Sequence, residues 1–327
     1  MLASTRSLTL EAAASRIKWS QIHPQTSAAV FRVLRLPHVS IRFVRVSAIP
    51  ATFFDIPATL KRLSLRSVTF TMSATYDPGS PAALSFESLE FLPRSGEHDT
   101  PENLIRPNSG FARIATLLVH PSTDSAPIIL AILNTAALSL TSLELCHVYT
   151  TRPFATVQSR DLRAFPVLFH LRELRRLRSL SFTFSMLYSG FDDFRYLFRI
   201  LVNGILDFFS SNASAFHRIE TLTMEVKYES RIHDITHMPR FLSGLEGWDR
   251  LNDMISTYFT HLGLCINLIL IMQIFTFQDL RLARREWKES MRGKFPELEE
   301  RGVLVLDVES FFWGSPKEEH GFDKKFE

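Results

Sequence analysis

The chain has 327 residues, a net charge of +3 and 22% charged residues, so it lacks the concentrated basic footprint that a phosphate backbone requires. Its 46% hydrophobic content excludes a disordered polymer. The 28 phenylalanines against 6 tyrosines point to wide apolar layers.

Taken in chain order, residues 1–14 read as an N-terminal tail, without the continuous apolar core of a signal peptide. "TSAAVFRVLRL" predicts a helix, and "IRFVRV" from Ile41 predicts a strand with the spacing apolar-x-x-apolar-x-apolar. The same spacing recurs in "LKRLSL" from Leu60, "FESLEF" from Phe86, "IATLLV" from Ile114 and "LTSLEL" from Leu140. It returns in "LRSLSF" from Leu177, "IETLTM" from Ile219, "INLILI" from Ile266 and "VLVLDV" from Val303. Helices are expected at "PIILAILNTAAL", at "FDDFRYLFRILVNGILDFF" and at "QDLRLARREWKESM". A further helix, "WDRLNDMISTYFTHL", sets Leu251, Met254, Ile255, Tyr258, Phe259 and Leu262 on one face. Between these elements, "YDPGSPAALS" reads as a turn-rich connector, and residues 92–110 as an insertion loop.

Strands alternating with helices predict a parallel sheet with right-handed crossovers. The expected fold is α/β, an irregular leucine-rich-repeat-like solenoid with a parallel sheet on one face and helices on the other. One repeat domain would span residues 15–310, followed by a charged C-terminal tail at 311–327. A nucleotide-binding fold would need a Gly-rich phosphate turn, and no G-x-G-x-x-G or Walker-type sequence occurs.

The greasiest run, "LGLCINLILIMQIFTF" from Leu262, is short for a membrane span and holds Asn267 and Gln273. It reads as a buried strand entering a turn, so no membrane partner is expected. Cys146 and Cys265 lie in apolar runs without partners at metal-ligand spacing, as buried free thiols of a reducing compartment would. The sequon at Asn212–Ser214 has no secretory signal to support its use.

No chemistry-bearing motif stands out. "HDITH" places His233 and His237 four apart, but Asp234 follows the first histidine where a zinc protease needs glutamate. Asp192 and Asp193 are adjacent in a first helical turn, which suits the helix dipole better than paired acid–base work. No G-x-S-x-G elbow occurs. Catalytic, cofactor-binding and metal-binding residues are therefore expected to be none, and the chain is read as a non-enzyme without cofactors.

Two basic stretches remain. Arg172, Arg175, Arg176 and Arg178 interleave with Leu171, Leu174, Leu177 and Leu180, as on a solvated face beside a strand. Arg284, Arg285, Lys288, Arg292 and Lys294 are offset by Glu286 and Glu289.

The stretch from Ser15 to Phe54 places Trp19, Leu34, Leu36, Pro37, Val39 and Pro50 in a familiar order. It resembles the F-box/leucine-rich-repeat-like family of mushroom-forming fungi, in which a tryptophan-bearing helix precedes a helix ending in "LLRLP", a strand and a proline-marked turn. "TLKRLSLRSVTF" resembles the family's next repeat strand, and "MRGKFPELEERGVLVLDV" from Met291 its closing helix and strand. The resemblance covers roughly residues 15–308 and implies a repeat fold and substrate recognition for a ubiquitin ligase. Family members open with an F-box beginning "LP-x-E". This chain has no such stretch, so the cullin-ligase adaptor is not expected as a partner.

The expected function is a protein–protein interaction scaffold, cytoplasmic or nuclear, that binds an unidentified protein partner. Lys61, Ser64, Arg66, Ser142 and Glu144, as exposed strand positions, are the candidate contacts. Two alternatives stand beside it. One is nucleic-acid or phosphate binding through Arg172–Arg178, although nucleic acid is the disfavoured partner. The other is an enzyme of unrecognised type with a pocket of convergent polar groups.

Overall fold

The computed structural model describes residues 6–12, 15–71, 84–92, 105, 109–120, 125–150, 170–187, 191–229, 238–260, 263–274 and 276–311. The chain divides into two compact units: Met1–Leu145 with Leu171–Leu177, and Cys146–His170 with Arg178–Glu327. The protein is α/β, built on parallel sheet and helices.

In the first unit the main strands are β1 (Ser7–Glu11), β2 (Val39–Val44), β3 (Ala58–Arg66), β4 (Leu84–Leu92), β5 (Thr116–Val119) and the start of β6 (Ser142–Thr150). Each pairs in parallel with its predecessor. β1 falls in the stretch expected to be a tail. Its alternation, with Leu8 and Leu10 half-buried and Ser7, Thr9 and Glu11 exposed, is that of a strand with one face on the core.

Register explains the recurring sequence pattern. Leu63, Leu89, Leu117 and Leu143 form one buried ladder, and Leu65, Phe91, Val119 and Leu145 the next. A strand alternates with period two, so the leading step of three needs a break. In β3 the register shifts between Val39/Leu60 and Ser40/Arg62, leaving Lys61 outside the ladder as a bulge and turning both Leu60 and Leu63 inward. In β5 and β6 the leading residues, Ile114 and Leu140, are buried just before the strand begins.

The turn after the strand also repeats. Val44 and Arg66 are register partners, and each is followed by a residue of positive φ, Arg45 (57°) and Ser67 (51°). Arg45 N–H donates to the Arg66 carbonyl and Ser67 N–H to the Leu92 carbonyl, both at 2.9 Å. Non-glycine residues take this conformation only where the surroundings impose it, so a shared corner geometry sets both. Beyond the corners lie short parallel pairs, Ile17–Lys18 with Val46–Ser47 and Ile49–Pro50 with Phe70–Thr71.

The helices of this unit are α1 (Pro24–Leu34) and α2 (Ala126–Thr135), both anticipated. An aromatic chain fills the core side, running from Trp19 through Phe43, Phe53, Phe54 and Phe111 to Phe86 with ring centroids 5.2–6.1 Å apart. Such edge and tilted contacts add to the area each ring buries.

The second unit stacks β7 (Ser179–Leu187), β8 (Thr221–Glu229), β9 (Cys265–Gln273) and β10 (Leu304–Phe311), again parallel and in chain order. Its helices are α3 (Phe191–Asn212), α4 (Met238–Ser243), α5 (Trp248–Tyr258), α6 (Phe277–Arg292) and α7 (Pro296–Glu300). Leu251, Ile255 and Phe259 are buried along the anticipated face of α5, Met254 and Tyr258 are half-buried, and Leu262 lies outside the described residues. Phe182 on β7 meets Phe208 and Phe209 of α3, and Trp287 of α6 donates its Nε1–H to the Leu268 carbonyl at 3.3 Å. The helices therefore pack on the apolar face of the strands. Among the described residues no helix is long and apolar enough to cross a membrane, and Cys265–Gln273 of the apolar run form β9.

One copy of the pattern was framed on the wrong residues. In β2 and just after it, the expected apolar positions Ile41, Val44 and Val46 are all buried, with Ile41 in register with Leu63; in β9 the core face is Ile266, Leu268, Leu270 and Met272, with Ile269 and Ile271 half-buried on the opposite face. A strand apolar on both faces offers two sets of matches, and spacing alone does not choose between them.

Candidate interaction surface

Opposite its apolar ladders, the first unit carries polar rows. One register row reads Ser40, Arg62, Ser88, Thr116 and Ser142; the next reads Arg42, Ser64, Glu90, Leu118 and Glu144. These rows contain the candidate contacts or flank them. Lys61 is exposed at the bulge, and Ser142 and Arg66 are half-buried. Ser64 and Glu144, expected to be exposed, are buried. Strands sit about 4.8 Å apart. Ser64 therefore lies between Arg42 and Glu90 across the ladder, and between Arg62 and Arg66 along its own strand. The long side chains around it leave it little solvent. Glu144 starts beside Leu118 in the same row.

The polar face is held by a feature no single residue announced. Glu90 is 2% exposed and bridges two arginines of the neighbouring strand. Arg62 Nη2 donates to its Oε2 at 2.8 Å, and Arg66 Nε donates to its Oε1. Burial pushes the Glu90 carboxyl up, but the Arg66 and Arg62 guanidiniums outweigh it and hold the group below the ordinary glutamate value. Arg62 and Arg66 are therefore fixed parts of the face rather than loose surface cations. A signal for Glu90 exists in the sequence: aligning the copies sets glutamate between two core positions in "SLEF" (Glu90), "SLEL" (Glu144) and "TMEV" (Glu225).

The second unit also sets a glutamate in this face, with a hydroxyl among its partners. Thr183 Oγ1 donates to buried Glu225 Oε2 at 3.0 Å, and Asn267 Nδ2 donates to Thr223 Oγ1 at 3.2 Å. On β9 this face is apolar at Ile269 and Ile271, whose register partners on β10 are Asp307 and Glu309. Cys146 is buried as expected, but Cys265 is half-buried because it opens β9 on the polar face, with Sγ 3.6 Å from Asn267 Oδ1.

The arginine-rich stretch follows its leucines. Leu171, Leu174, Leu177 and Leu180 are buried, and Arg172, Arg175, Arg176 and Arg178 are exposed. Arg172 pairs with Glu173 at 2.9 Å and Arg178 with Glu220 at 3.2 Å. On α6, Arg284 pairs with Asp307 and Arg292 with Glu299. His233–His237 lie outside the described residues, and so do the side chains of Asp192 and Asp193. Among the described residues no cluster of three potential metal ligands occurs. No family model matches this chain, and no curated protein matches it.

Proposed function

We propose that the chain is a protein–protein interaction scaffold of leucine-rich-repeat type, with the polar strand face as its contact surface. The observation that carries this reading is the register of the first unit. Successive parallel strands bury one set of side chains in ladders and set the other in register rows that are polar except at Leu118, held by the Arg62–Glu90–Arg66 bridge. Repeats of this kind offer broad surfaces because each unit packs only on its neighbours. Residues fixed before binding lose less conformational freedom on contact. The resemblance to the fungal F-box/leucine-rich-repeat-like family supports a more specific role, recognition of a protein destined for ubiquitination, in the cytoplasm or nucleus. The nucleic-acid alternative gains no support, because carboxylates pair with two of its four guanidiniums.

A photo-crosslinking amino acid placed singly at Ser88, Thr116 and Ser142 tests the surface, with exposed Arg32 of α1 as the control. The expected result is one partner adduct common to the three strand positions and absent from position 32. An adduct formed equally well from position 32 rejects the polar face as the contact surface.

A further inference from the structure

A groove of about 360 Å³ lies in the second unit, lined by Arg195, Tyr196, Arg199, Gly244, Leu245 and Glu246. Its described lining shares no residue with the polar strand rows or with the Arg172–Arg178 stretch. Its size is that of a small-ligand site.

Arg195 and Arg199 stand one turn apart on α3, so their Cβ atoms are roughly 5–6 Å apart on one helix face. Both are exposed, and neither enters an ion pair among the described residues. Each instead makes a cation–π contact: the Arg195 guanidinium carbon lies over Phe241, 5.9 Å from its centroid, and that of Arg199 over Tyr196 at 5.8 Å. Such a contact draws the positive charge to the ring face without giving the N–H donors a carboxylate or carbonyl acceptor. Tyr196 is itself 50% exposed, which leaves an aromatic surface beside the forks. Among the described residues Glu246 is the single carboxylate of the lining, against the two arginines, so these residues together carry a net positive charge.

One fork satisfies the two oxygens of a carboxylate. Two forks on one wall suit a group with three terminal oxygens and a double negative charge. We propose that this groove binds a phosphate monoester, with Arg195 and Arg199 as the oxyanion ligands and Tyr196 packing against the group that carries it.

Calorimetric titration of the full chain tests this with four probes: inorganic phosphate, phenyl phosphate, a phosphotyrosine peptide and benzoate. Phenyl phosphate is expected to bind more tightly than inorganic phosphate or benzoate. Arg195→Gln and Arg199→Gln should each weaken it about tenfold or more, the loss of one charge-assisted hydrogen bond, and Glu246→Gln should tighten it. All three positions are exposed, and unchanged melting temperatures would show the variants folded. Tighter binding of the peptide than of phenyl phosphate would mark a phosphorylated protein as the source, and the reverse a small metabolite. Both outcomes support the site. The proposal is overturned if no phosphorylated probe binds, if benzoate binds as well as phenyl phosphate, or if the Arg195→Gln/Arg199→Gln double variant binds as the native chain does.

Discussion

Substituting Glu90→Gln tests whether the polar face is a built structure or a loose surface. The substitution keeps the volume and removes the charge that Arg62 and Arg66 share. Removing one partner of a buried ion pair costs about 3–5 kcal/mol, because the remaining charge is left uncompensated. Here the stranded charges keep some contact with water, at 13% and 18% side-chain exposure against 2% for Glu90. The cost therefore falls at the low end, about 3 kcal/mol. At about 2–4 °C per kcal/mol, the expected loss is roughly 6–12 °C in melting temperature, read by scanning calorimetry at pH 7.

A pH series adds an independent check. The Glu90 carboxyl titrates lower in the folded chain than in the unfolded one, because its two guanidiniums outweigh burial. Its contribution is therefore complete above the unfolded value of about 4.3 and is lost as pH falls through the folded value. The stability gap between native chain and variant should be constant from neutral pH down to about 5 and then narrow with acid. A variant melting within about 1 °C of the native chain, well under the shift expected for 1 kcal/mol, would refute the bridge as a structural element. So would a gap that does not narrow below the glutamate range.

Phe53→Ala removes a fully buried ring that sits 5.4 Å from Phe43 and 5.5 Å from Phe54. It should lower unfolding free energy by about 3–5 kcal/mol in denaturant titration, with little change in the m-value. Gly110→Ala places a Cβ 2.2 Å from the Leu84 carbonyl oxygen, where backbone must move, and should cost about 1–3 kcal/mol by the same measurement.

Much of the fold was legible because parallel strands buried on their apolar face leave a plain mark. Leu60, Leu63 and Leu65 stated a strand, and the helices around Leu251 and Ile255 stated their buried face. The step of three from Leu60 to Leu63 even encoded the bulge at Lys61, although only the register shift shows it as one. Depth was not legible. Alternation tells which face a residue occupies, not whether its neighbours close over it, so Ser64 and Glu144 were taken as exposed. Frame was not legible in β9, where Ile266 to Met272 is apolar on both faces. The groove at Arg195 and Arg199 was hidden for another reason. Its other wall, Gly244–Glu246, is distant in sequence, and spacing within one helix cannot announce a partner on another element. The same limit applied to Glu90. Its arginines sit on the preceding strand, so only the β3–β4 register turns three separate charges into one bridge. Local pattern thus specified the ladders that build this protein. The features that could recognise a ligand or partner arise between elements, where register and packing decide which charges meet.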